Sequence, residues 1–157
     1  TVRIGQSGPN AFFQAGGLPF SAKLVDGNFP PYEQVIPGSS EYVIRVPRAR
    51  FADALKAISV SANEQTGGVK LTLANGLIRF ETESPESGDG FDEVPVEYDG
   101  PKLTIGFCAR YFLESLGSLD CEEVSLGFCG ELDPAMVTPA IPGEGFSSLS
   151  VLMPMRI

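Results

Sequence analysis

The densest run of reactive side chains is acidic: Glu81, Glu83, Glu86, Asp89, Asp92 and Glu93 crowd one short stretch. Carboxylates so close together could pair for acid–base work or gather oxygen ligands round a hard cation, as a metal-dependent hydrolase needs. They stand among Ser, Gly and Pro, which favours a solvated acidic loop between strands. Histidine is absent, removing the commonest general base near neutral pH and the commonest metal ligand. Cys108, Cys121 and Cys129 are odd in number and lack CxxC spacing, so they read as reduced, buried thiols rather than a disulfide framework or zinc site. There is no phosphate-binding glycine loop and no nucleophile elbow. No catalytic residue, metal site or cofactor is therefore expected, and the chain reads as a non-enzyme.

The cations suggest a different chemistry. A net charge of −9 weighs against nucleic acid as a partner, because Lys and Arg supply most of the affinity for phosphate. Yet Arg45, Arg48, Arg50 and Lys56 fall close together, whereas residues 81–100 hold eight acids and no base. Such segregation is compatible with one basic surface on an acidic body. Arg48 and Arg50 open one predicted helix and Arg110 opens another, although the positive end of a helix dipole prefers acids. Two accounts remain open: both helix starts face a polyanion, or the arginines pair with nearby acids.

The last residues, Val151-Leu152-Met153-Pro154-Met155-Arg156-Ile157, are apolar where chain ends tend to be polar. They could finish a core strand. Methionine is also adaptable and suits a surface that accepts several peptide partners.

These groups must be carried by regular elements. Short strands fit Val2 to Gln6, Ala11 to Gln14 and Pro19 to Val25, and the turn-rich run through Pro37-Gly38-Ser39-Ser40 places a domain boundary near residue 40. Thereafter come a strand at Tyr42 to Val46, a helix at Arg48 to Ala62 and a hairpin of Val69 to Leu73 with Leu77 to Thr82 about Asn75-Gly76. A strand at Val94 to Tyr98 closes that set. The order then repeats: strand Lys102 to Phe107, helix Ala109 to Leu119, and strands at Glu123 to Phe128, Ala135 to Val137 and Leu149 to Met153. Two β-α-β-β-β units form a two-layer α+β domain, helices on a largely antiparallel sheet. No apolar run nears the roughly 20 residues that span a bilayer, so no membrane is expected. Thr1, with neither Met nor a signal pattern, reads as a fragment boundary.

Two segments carry a family resemblance. Residues 23–32, Lys23-Leu24-Val25-Asp26-Gly27-Asn28-Phe29-Pro30-Pro31-Tyr32, with Val35-Ile36-Pro37, resemble the passage from the second to the third domain of bacterial sliding clamps. Met153-Pro154-Met155-Arg156-Ile157 is similar to that family's C-terminus, and Ile105-Gly106-Phe107 also matches. The resemblance implies a DNA-clamp fold, with residues 1–40 ending the second domain and 41–157 forming the third. It implies a cytoplasmic processivity factor of DNA replication, the beta subunit of DNA polymerase III, working as a head-to-tail homodimeric ring. Helices line its hole, and duplex DNA passes through without sequence-specific readout. Replicative polymerase, clamp-loader and repair-polymerase peptides dock by hydrophobic anchors in a groove between the second and third domains.

On the same resemblance, the groove side supplied here comprises Pro30, Gln34, Val35, Cys108, Tyr111, Leu132, Val151, Met153, Pro154, Met155 and Arg156. The DNA-facing candidates are Arg48, Arg50, Lys56 and Arg110, chosen more on helix charge than on a family motif. Val60 and Ser61 resemble the ring interface. Three departures stand out: Cys108 replaces a common amide, Gln34 a common base, and Ser61 a bulky aliphatic residue, which weakens ring closure by about 1 to 2 kcal/mol. By itself the chain should not form the normal ring. A stand-alone clamp-like domain that binds partners without encircling DNA is the alternative, with the hydrolase behind it.

Overall fold

The computed structural model describes residues 1–62, 66–82, 88–143 and 147–156, so Glu83, Glu86 and Ile157 lie outside the described residues. The chain divides into two units, Thr1–Tyr32 and Glu33–Ile157. The first is an antiparallel meander of β1 (Val2–Ser7), β2 (Asn10–Ala15) and β3 (Leu18–Lys23). Gly16 and Gly17 both take positive φ, +54° and +86°, which the tight β2–β3 turn requires. Phe13 lies directly across from Phe20, with ring centroids 5.9 Å apart. Every residue of β1 is exposed.

The sequence boundary near residue 40 falls inside the second unit. Ser39 and Ser40 pack on the sheet: Cys129 Sγ donates to the Ser39 carbonyl at 3.2 Å, and Ser40 lies over Gly127, so closely that a Cβ there would overlap its hydroxyl.

The second unit repeats one pattern. β4 (Tyr42–Pro47), α1 (Arg48–Ser59), β5 (Gly68–Ala74), β6 (Leu77–Thr82) and β7 (Gly90–Pro95) are followed by β8 (Leu103–Cys108), α2 (Ala109–Gly117), β9 (Glu123–Phe128), β10 (Ala135–Pro139) and β11 (Ser150–Leu152). The two β-α-β-β-β units exchange their first strands: β4 pairs with β9 and β8 pairs with β5. Two four-stranded antiparallel sheets result, ordered β11-β10-β9-β4 and β7-β6-β5-β8. α1 buries Phe51, Ala54, Leu55 and Ile58, the i, i+3, i+4, i+7 set of one helical face. Its Phe51 ring meets Phe80 at 5.1 Å and Phe112 of α2 at 5.2 Å, and Phe112 meets Phe107 at 5.2 Å. One phenylalanine chain thus ties both helices to the sheet beneath. Asn75 (φ +52°) and Gly76 (φ +75°) make the expected hairpin turn.

Several element ends shift by one or two residues from expectation, and two differences bear on candidate residues. The first helix ends at Ser59 rather than Ala62, because the N–H groups of Ser61 and Ala62 turn back to the carbonyls three residues earlier and Val60 faces solvent. The strand expected at Val94 to Tyr98 lies earlier, as β7, and takes Asp92 and Glu93 out of a loop; Glu81 likewise lies in β6. Cross-strand charge pairing accounts for this register: Arg79 faces Glu93, with Arg79 Nη1 3.0 Å from Glu93 Oε1 and Arg79 Nε 3.1 Å from Glu81 Oε1.

Candidate functional site

The terminal segment builds a groove. β11 ends at Leu152, and Met153, Pro154 and Met155 continue along α2 until the Met155 N–H bonds to the Gly106 carbonyl of β8 at 2.8 Å. Between this segment and the start of α2 lies a cleft of about 800 Å³. Cys108, Tyr111, Val151, Met153, Pro154 and Met155, all expected to bind peptide, come together on its walls. Its mouth is apolar and open, with Met153 62% and Tyr111 53% exposed. α2 presents Tyr111 outward because its neighbour Phe112 is committed to the core.

Other expected positions belong to other segments of the chain. Pro30 is an exposed residue of the first unit; Gln34 ends a short 3-10 turn, Tyr32–Gln34, and Val35 follows it, both exposed. Leu132 is exposed in the turn between β9 and β10, and Arg156 lies just past the Met155 bridge; neither lines the cleft. The cleft adds residues that sequence reasoning missed: Thr66, Gly67, Phe107, Phe112, Ser115, Ser150 and Leu152. Gly67 has φ +60° and its carbonyl accepts the Ala109 N–H at 2.9 Å, which fixes the floor where α2 begins. The left-handed φ makes glycine the fitting residue, but nothing local in the sequence ties it to residues some forty positions on.

Of the four cations expected to face DNA, Arg110 lines this cleft. Its guanidinium lies 5.0 Å from the Tyr111 ring centroid, donates to Tyr111 Oη at 3.3 Å and sits 3.8 Å from Glu114. Arg48 is half-buried and donates to the carbonyls of Cys121 at 2.8 Å and Leu116 at 3.3 Å, satisfying the end of α2. Arg50 forks onto both Asp92 oxygens at 3.0 and 2.9 Å and onto the Glu93 carbonyl at 2.9 Å. That hydrogen bond holds the Asp92 carboxyl below its ordinary pKa, against the opposing effect of burial, with the Glu93 N–H assisting. Lys56 is exposed, 3.8 Å from Asp53. Arg50 is thus paired with an acid, and Arg48 is a donor to two carbonyls. With Glu81, Asp92 and Glu93 each matched to a cation, these acids are arranged as ion pairs rather than as a ligand set.

Val60 is 81% exposed just beyond α1, and Ser61 is half-buried beside it. Val60 borders a second, shallower hollow with Ala62, Leu113 and Glu114.

Residues 33–156 match the family described as DNA polymerase III beta subunit, C-terminal domain. The chain belongs to that family. A beta sliding clamp of Pseudomonas aeruginosa is 35% identical over 142 residues, covering 90% of this chain and 38% of the relative. One from Caulobacter vibrioides is 32% identical, covering 100% and 41%. The crystal structure of the DNA polymerase sliding clamp from Pseudomonas aeruginosa with ligand superposes with a TM-score of 0.88 at 33% identity, covering 98% of this chain and 41% of that one. The Bartonella birtlesii sliding clamp bound to griselimycin gives 0.89 at 32% identity, covering 98% and 41%. The chain thus spans about two fifths of the length of these beta-subunit relatives, and the two-layer α+β clamp fold is theirs.

Proposed function

We propose that this chain supplies the third domain, residues 41–157, and the closing strands of the second, residues 1–40, of a cytoplasmic processivity factor for DNA replication. In that reading a head-to-tail dimeric ring encircles duplex DNA without reading sequence, and the cleft beside α2 captures hydrophobic peptides of the replicative polymerase, clamp loader and repair polymerases. The protein has no catalytic role of its own; it tethers enzymes that do.

The observation that carries this reading is the cleft with Met153 and Tyr111 at its mouth, both exposed despite their apolar area. Solvent-facing methionine beside an aromatic ring suits a site for varied apolar anchors. Arg156, exposed beyond the bridge, is available to peptide carbonyls or an acid. Pro30, Gln34, Val35 and Leu132 are assigned to the same partner surface on family resemblance alone.

A fluorescein-labelled hydrophobic clamp-interaction peptide tests the cleft by anisotropy. Met153→Ala and Tyr111→Ala are each expected to weaken it by roughly tenfold, the effect of losing about 1.4 kcal/mol at an interface anchor. Full retention of affinity after both changes would overturn the assignment.

A further inference from the structure

We propose that Arg50 and Asp92 form an exchangeable phosphate clasp, in which Asp92 fills the guanidinium fork until a DNA phosphate displaces it. The inference rests on the DNA-encircling reading above and concerns how this helix face meets its polyanion.

The two Nη atoms of Arg50 reach the two Asp92 oxygens at 3.0 and 2.9 Å, the parallel geometry with which a guanidinium also takes two phosphate oxygens. The clasp is accessible: the Arg50 and Asp92 side chains are 44% and 29% exposed, and ion pairs in contact with water exchange readily. Its neighbours differ. Arg48 directs Nε and Nη1 at two carbonyls, while Lys56 and Arg110 stand 3.8 Å from their acids without the fork geometry. Arg50 is thus the helix cation for which gaining a phosphate means giving up a fully formed internal pair.

The consequence is a weak hold. In a chain of net charge −9, each phosphate bound here is offset by one carboxylate released, which keeps affinity low. Weak, exchangeable contact suits a surface that moves along DNA.

The test is an NMR titration of the chain with a short duplex oligonucleotide at low ionic strength, following arginine Nε–Hε signals. Asp92→Asn should bind about threefold tighter than the unaltered chain, with a salt dependence steeper by about one ion. Arg50→Gln with Asp92→Asn should exceed Arg50→Gln alone by no more than Glu97→Gln exceeds the unaltered chain, the gain that one lost negative charge brings. Glu97→Gln, which changes net charge equally on a residue outside the pair, should give a smaller gain, and Asp92→Ser should repeat the Asp92→Asn result. DNA binding by every variant with Asp92→Asn equal to Glu97→Gln overturns the clasp and leaves the DNA reading standing. Absence of binding in all variants overturns the clasp, and the DNA reading then rests on the full-length ring alone.

Discussion

Met155 and Gly106 form an isolated antiparallel bridge, N–H to carbonyl at 2.8 Å, that joins the chain's terminal segment to the edge of β8. The segment leaves β11, the edge of one sheet, and ends on β8, the edge of the other. Its stretch between them, Met153 and Pro154, is one wall of the cleft and is held at both ends. Met155→Pro deletes the donor and is expected to reduce peptide affinity by about three- to tenfold, the worth of one net hydrogen bond. The thermal midpoint should fall by no more than about a few degrees, the size of one lost hydrogen bond, since Met155 is not among the buried core residues.

Gly127 admits no side chain. A Cβ there would overlap the Ser40 hydroxyl and stand 2.9 Å from its Cβ. Gly127→Ala should cost about 1 to 3 kcal/mol in urea unfolding, in the range of overpacked sites. Ser40→Gly in the same chain should recover most of that loss; no recovery would mean that Ser40 is not the obstacle.

Arg48→Met keeps the aliphatic stem but leaves the Cys121 and Leu116 carbonyls without their guanidinium donor. Two half-buried acceptors that lose a charged donor should cost about 1 to 3 kcal/mol, measured by the denaturant midpoint. A change near zero would identify Arg48 as free to serve another partner.

The Arg50–Asp92 pair predicts a pH dependence of definite sign. Asp92 has its folded pKa below the ordinary 3.8, so the unfolded chain binds its proton more readily. Its stabilising contribution is complete above the ordinary value and fades as pH falls through the lower folded value. The stability margin of the unaltered chain over Asp92→Asn should therefore be flat from neutral pH to about 5 and shrink below pH 4. A margin that grew on acidification would contradict the pairing.

Ser61 offers the assembly prediction. In a polypeptide of the relatives' full length, Ser61→Leu should tighten the dimer by about 1 to 2 kcal/mol through added apolar burial, read by sedimentation at several concentrations. A tight dimer of the unaltered full-length polypeptide would count against weak closure at Val60 and Ser61.

Much of the fold was legible locally. Leu77–Thr82 and Glu123–Phe128 are bounded as their alternation suggests, and Asn75-Gly76 marks its turn. β7 was misplaced because Asp92 and Glu93 look like loop residues until Arg79 and Arg50 are found beside them. Arg110 illustrates the same limit at the site: its position opening α2 suggested a polyanion, and only the packed structure shows its guanidinium against Tyr111 on the wall of the cleft.

The sequence by itself determined the element order, its repeat and the residues with affinity for one another's company: apolar positions at helical or strand spacing, a turn dipeptide, a Met-Pro-Met end. Those signals act over a few residues, where backbone geometry fixes which side chains share a face. Only the tertiary structure decided that β4 lies beside β9, that β8 lies beside β5, and that the chain end closes on Gly106 to make a cleft. Such pairings are selected by how distant apolar faces and backbone donors satisfy one another together, and no local period records that choice.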